Sequence, residues 1–161
     1  MATKLSYEGD AILPSIQADS VEGGSGASCL VWGTDLSRVE DRRLARQSLH
    51  EQATAALRAS VNHPALQHLV LVYRCAPQLR SRMQDFARGE ARRLHATLEL
   101  ERASDVDVVM VDITGLDDDQ LPERRFNELA RRHAGITAYA AITWEVMRHE
   151  SINDACSRNV I

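Results

Sequence analysis

Short apolar runs mark the buried strands of this chain. They cover residues 29–33, 68–74 and 105–112. In the second run four apolar residues follow one another, which indicates burial on both faces, as in a parallel sheet. Residues 136–146 alternate apolar and polar positions and also fit a helical stripe, but their β-branched and aromatic content favours a strand. The pattern therefore predicts four strands.

Helical periodicity fills the intervals between these strands. Apolar residues recur at helical spacing over 38–60, 78–102 and 122–133. Ser37 and Glu40 have the spacing of a capping box at the start of the first helix, and Gly135 is the expected C-cap of the third. Alternating strands and long helices predict an α/β fold with three layers, in which helices flank a mostly parallel sheet of about four core strands.

The N-terminal region has a less regular pattern. Residues 1–27 are predicted to be an extension, irregular or β, with two short strands around a turn at Gly9-Asp10 and a glycine-rich loop over 18–28. Residues 28–161 then form a single α/β domain, since 161 residues is the size of one ordinary domain.

Neither the N-terminus nor any later segment has the pattern of a signal peptide or a membrane span. We therefore expect a cytoplasmic protein without a membrane partner. The three cysteines are odd in number and widely spaced, and they match neither a disulfide framework nor a zinc motif. Reduced thiols fit a cytoplasmic location.

Charge is distributed unevenly between the predicted elements. All but one of the 19 basic residues are arginine, a bias typical of a GC-rich genome. The three predicted helices hold 15 arginines and nine acidic residues, whereas the rest of the chain holds four basic and 14 acidic residues. The sequence thus predicts a charge-polarised surface. The net charge of −4 and the low aromatic content argue against a nucleic-acid partner.

Candidate site residues follow the predicted strands. In a parallel α/β sheet, ligands bind beyond the carboxyl ends of the strands. This rule selects Asp35 and Asp112 as candidate catalytic acids, and Arg74 and Thr114 as candidate ligand-binding residues. Mg²⁺ is the cofactor that such carboxylates would hold, with Asp117 or Glu145 as a third ligand. No complete metal or nucleotide-binding motif accompanies them, so the sequence also fits a protein without a cofactor.

Two functions remain open at this point. The first is an interaction or regulatory module, such as an adaptor, an inhibitor of the immunity type or an accessory subunit. Its exposed acids Asp117, Asp118 and Asp119 would bind a basic protein partner, and self-association through the small-residue face of helix 38–60 is a further expectation. The alternative is a metal-dependent nuclease or phosphohydrolase that acts on a phosphate-containing ligand at the strand ends.

Overall fold

The core of the fold is a parallel sheet of five strands. The computed structural model describes residues 5–19 and 26–158. The strands lie in chain order, each hydrogen-bonded in parallel to the next. They are β1 (Leu5–Gly9), β2 (Cys29–Leu36), β3 (His68–Cys75), β4 (Asp107–Asp112) and β5 (Tyr139–Thr143). The predicted three-layer α/β fold is confirmed, and the expected number of strands is corrected from four to five.

The additional strand is β1, which belongs to the region predicted as an extension. Leu5 and Tyr7 face the core, and the strand pairs with β2 from Leu5 to Gly9. Gly9 ends it with a φ of 87°, and a side chain there would lie 2.4 Å from the Gly33 carbonyl oxygen. Only glycine fits such a position. The second predicted strand of this region is a helix, and most of the predicted loop over 18–28 lies outside the described residues.

Helices cover both faces of the sheet. They are α1 (Pro14–Asp19), α2 (Arg42–Ala59), α3 (Arg80–Glu101), α4 (Gln120–Ala130), α5 (Trp144–His149) and α6 (Ile152–Arg158). No helix within the described ranges is long and apolar enough to cross a membrane. Cys29, Cys75 and Cys156 are free and buried.

The start of α2 differs from the capping-box prediction. Asp41 is the N-cap, and its carboxylate accepts a hydrogen bond from the Leu44 amide at 3.0 Å. The Ser37 amide and hydroxyl instead donate to the carboxylate of Asp35. The prediction of a capping box was wrong because Ser37 is held at the end of β2, four residues before the N-cap of the helix.

The two faces of the sheet have separate apolar cores. One core joins the sheet to α2 and α3, and the other joins it to α1, α4, α5 and α6. Ala45, Ala53 and Ala56 of α2 are fully buried in the first core, so they are not available for packing against a second copy. Since the strands follow chain order, the connection through α4 has the opposite hand to those through α2 and α3. Left-handed connections of this kind are rare.

The segment 136–146 changes structure part-way. Only Tyr139–Thr143 is a strand, and α5 begins at Trp144. The Trp144 indole donates a hydrogen bond to the Thr114 carbonyl at 2.8 Å. Beyond the strand, burial follows the helix instead: Trp144 and Met147 are three residues apart and are buried on one side of α5.

His68 is buried at the start of β3 and makes stability dependent on pH. Its Nε2 lies 2.7 Å from the Arg132 carbonyl oxygen, and burial lowers the pKa of His68 from its ordinary value of 6.5. The unfolded chain therefore binds the proton more readily, so this stabilisation is complete above pH 6.5 and declines as the pH falls below it. We expect His68→Gln to lose less stability than the wild type between about pH 7.5 and about pH 5 in urea unfolding. Equal losses in both proteins would contradict this.

Candidate functional site at the carboxyl edge of the sheet

Asp35 and Arg74 form an ion pair across two neighbouring strands. They are register partners on β2 and β3, and the Arg74 guanidinium donates to the Asp35 carboxylate at 2.8 Å. The bond from Arg74 holds the pKa of Asp35 well below its usual range, with further bonds from Ser37. The Asp35 amide in turn donates to the Asp10 carboxylate at 2.8 Å. Asp35 is thus an ionised acceptor with its hydrogen bonds largely used within the protein.

Asp112 belongs to a second and more deeply buried network. Its side chain is fully buried and accepts a hydrogen bond from the Arg80 Nε at 2.8 Å. Both the amide and the hydroxyl of Thr114 also donate to it. Arg80 also pairs with Glu145. Burial raises the pKa of Glu145, but the hydrogen bond and the charge of Arg80 outweigh this effect together with further hydrogen bonds from the Glu145 amide and Thr143, so the pKa is lowered. Arg80 therefore neutralises two carboxylates from different elements.

The two candidate catalytic acids do not share a site. Asp35 is on β2 and Asp112 is on β4, with β3 between them, which separates their backbones by about 10 Å. Alternation along the strands also directs them to opposite faces, since Asp112 lies on the face that α3 covers. No group of three or more His, Cys, Asp or Glu side chains in the described part of the chain could hold a metal ion. The predicted Mg²⁺ arrangement of Asp35 with Asp112 is not formed.

Thr114 and Cys75 are linked in the interior of the same edge. The Cys75 amide donates to the Thr114 hydroxyl oxygen at 3.0 Å, and that hydroxyl donates to Asp112. Thr114 is buried and therefore holds the loop after β4 rather than facing a ligand. Burial raises the pKa of the Cys75 thiol, so it stays protonated and is a poor nucleophile at neutral pH.

The acidic loop before α4 is exposed but partly used within the fold. Asp117 forms an ion pair with Arg148, whose guanidinium stacks 4.6 Å from the centre of the Trp144 ring. The Asp118 carboxylate accepts from the Gln120 amide at the start of α4. Asp119 has an exposed side chain, and its backbone carbonyl accepts a hydrogen bond from the Ser15 hydroxyl. Two of the three predicted partner-binding carboxylates thus stabilise local structure.

An arginine cluster lies beside this edge, at the N-terminal ends of α2 and α3. We define it as Arg42, Arg46 and Arg82. Arg46 donates from Nη2 to the Arg82 carbonyl at 3.3 Å, and its guanidinium lies 5.6 Å from the centre of the Phe86 ring. Arg42 is one helical turn before Arg46, which places their side chains on the same surface of α2. None of the three forms an ion pair with an acid in the ranges that the structure describes.

No protein-family model matches the chain, and neither a curated protein nor a solved structure is similar to it.

The strand-end rule placed Asp35, Arg74 and Asp112 at one edge of the sheet, as the structure has them. It missed Arg80 and the arginine cluster. Arg80 was not among the candidate residues, although it binds both Asp112 and Glu145. The signal that could have identified it is position: a helix that follows β3 begins beside the end of β4, where Asp112 lies. The arginine cluster joins residues from two helices, so no spacing along one helix could show it.

Proposed function

We propose that this protein is a non-catalytic interaction module that binds an acidic protein surface through the arginine cluster Arg42, Arg46 and Arg82. The observation that carries the proposal is that Arg46 on α2 reaches the backbone of Arg82 on α3, with Arg42 on the same surface of α2, and that none of the three has a carboxylate partner among the described residues. Unpaired like charges held together repel one another, and an acidic partner relieves that repulsion.

The contrast with the neighbouring arginines supports this assignment. Arg74 and Arg80, at the same edge of the sheet, are both neutralised by aspartates within the chain. Their positive charge is therefore used in folding. The cluster charges remain for an external partner, and the first turns of α2 and α3 add partial positive charge from the helix dipoles.

An acidic protein suits the cluster better than a nucleic acid does. The net charge of the chain is −4, so long-range attraction to a polyanionic backbone is weak. All seven aromatic side chains are described, and none of them is exposed, so no platform for base stacking is present. A protein partner needs only a local acidic patch that matches the cluster.

The partner surface that we propose differs from the acidic loop favoured by the sequence. Asp117 and Asp118 are engaged by Arg148 and by the start of α4. Carboxylates with internal partners give up existing bonds when they bind a basic protein, which lowers the net gain. We therefore propose the arginine cluster as the main contact and the acidic loop as a structural feature of the β4–α4 connection.

A labelled decaglutamate peptide tests this proposal by fluorescence anisotropy. We expect the double variant Arg42→Gln/Arg82→Gln to weaken peptide binding on the order of tenfold at low ionic strength, and to flatten its dependence on salt. Arg46 is kept because its contact with Phe86 contributes to packing.

Arg131→Gln/Arg132→Gln is the matched control, since it removes the same charge from exposed arginines at the end of α4. We expect this control to bind the peptide nearly as the wild type does. If both double variants weaken peptide binding equally, the effect depends only on overall charge, and the proposal is contradicted. Tighter binding of a single-stranded oligonucleotide than of the peptide would contradict the choice of an acidic protein.

A further inference from the structure

The outer edge of β5 has unpaired backbone groups. β5 is the last strand of the sheet, and β4 pairs with it on one side only. The Val108 amide donates to the Ala138 carbonyl at 2.9 Å, which fixes the pattern of the parallel ladder. Residues 138, 140 and 142 therefore direct their backbone groups to β4, and Tyr139 and Ala141 direct theirs outward. An edge of this kind is a template for another strand.

A groove of about 670 Å³ runs along this edge between α3 and α6. Its floor consists largely of small side chains, so that another backbone is able to approach β5 closely. Among the described residues, only the Gln84 amide binds an outward backbone group of β5: it donates to the Ala141 carbonyl at 3.1 Å, and a carbonyl oxygen can accept a second hydrogen bond. The lining residues at the rim are Gln84, Asp85, Arg88 and Arg158.

The rim on α3 has charges of both signs that the fold does not use. Asp85 and Arg88 are exposed and lie one helical turn apart. Neither forms an ion pair within the described chain, whereas Arg80 and Arg93 of the same helix pair with Asp112 and Glu90. A surface with one acid and one base at this spacing is complementary to itself when turned by a twofold rotation.

From this geometry we propose that two copies of this chain associate through antiparallel pairing of their β5 edges about a twofold axis. The two sheets become one continuous sheet of ten strands. The two β5 edges lie side by side across the axis, and the two α3 helices run antiparallel to each other on one face of the joined sheet. Asp85 of each copy then faces Arg88 of the other. This surface is separate from the arginine cluster, so the inference does not rest on the proposed function.

A charge-swap series tests the pairing by sedimentation equilibrium. Arg88→Asp places acid against acid across the axis, and Asp85→Arg places base against base. We expect each single variant to weaken dimerisation on the order of tenfold. The double swap Asp85→Arg/Arg88→Asp is expected to restore it. Arg92→Asp is the control, because Arg92 is exposed on α3 and does not line the groove. We expect it to dimerise as the wild type does.

A backbone variant tests the strand contact itself. Ala141→Pro removes an amide that points outward, so the ladder to β4 is retained and only the pairing between copies is lost. We expect a folded monomer by circular dichroism and sedimentation. If the wild type stays monomeric at high micromolar concentration, the proposal is overturned, and the β5 edge would then be available only for a strand from another protein. A double swap as weak as the single variants also overturns it, even where Ala141→Pro does not fold.

Discussion

Asp107→Ala is expected to destabilise the protein by about 4 kcal/mol. The Asp107 carboxylate is buried at the start of β4 and accepts backbone amides from Gly135, Thr137 and Ala138 at 3.0–3.2 Å. These amides belong to the turn before β5, where Ala138 has a φ of 61°. Alanine leaves the three donors without their acceptor in a largely buried place. Urea unfolding monitored by circular dichroism measures the loss.

Asp105→Ala provides the control for this loss. Asp105 is exposed and lies two residues earlier. Its substitution removes the same charge, and we expect it to lower the free energy of unfolding by about 0.5 kcal/mol or less. A similar cost for both variants would mean that the carboxylate of Asp107 does not organise the turn. Because the turn leads directly into β5, Asp107→Ala is also expected to increase amide hydrogen exchange at Ala140 and Ile142, whose backbone groups are directed to β4.

Arg80→Met is expected to destabilise the protein by about 3 kcal/mol. Methionine keeps much of the aliphatic stem but leaves the fully buried Asp112 carboxylate without a positive partner. The hydrogen bonds from Thr114 remain, which limits the cost. The measurement is again the free energy of unfolding in urea.

The Asp35–Arg74 pair offers a matched comparison at the same edge of the sheet. Its side chains are 32% and 44% exposed, whereas Asp112 is 0% exposed. Arg74→Met is therefore expected to cost less than about 1 kcal/mol, because water solvates the remaining carboxylate. If Arg74→Met costs as much as Arg80→Met, burial does not determine the strength of these pairs. Adding Asp112→Asn to Arg80→Met should recover part of the lost stability, since the uncompensated charge is then removed.

The central strands are clear in the sequence, whereas the outer strands are predicted only in part. β3 and β4 are covered by helices on both faces, so their apolar residues are continuous and visible in the sequence. β1 has five residues, and its only large buried side chains are Leu5 and Tyr7, a pattern that indicates a short strand but does not show that it joins the sheet. At β5 the apolar alternation of the sequence runs on past Thr143, so it does not show that α5 begins at Trp144.

The candidate site shows a similar limit. The rule that parallel strands end at one edge correctly placed Asp35, Arg74 and Asp112 along the same side of the sheet. Whether two strand-end residues meet depends on the strand order and on the face to which each points. Both follow from the register of the whole sheet, and a shift of one residue reverses the face. The partners of Arg80 are likewise set by tertiary packing between α3, β4 and α5.

Amide chemical shifts during a titration with decaglutamate test the central claim most directly. We expect changes that concentrate at the N-terminal ends of α2 and α3, around Arg42, Arg46 and Arg82, and that disappear in Arg42→Gln/Arg82→Gln. We also expect little change at Asp35, Arg74 and Asp112, whose charges are paired within the fold. Changes that concentrate at those three residues, or an absence of changes at the arginine cluster, would contradict the account.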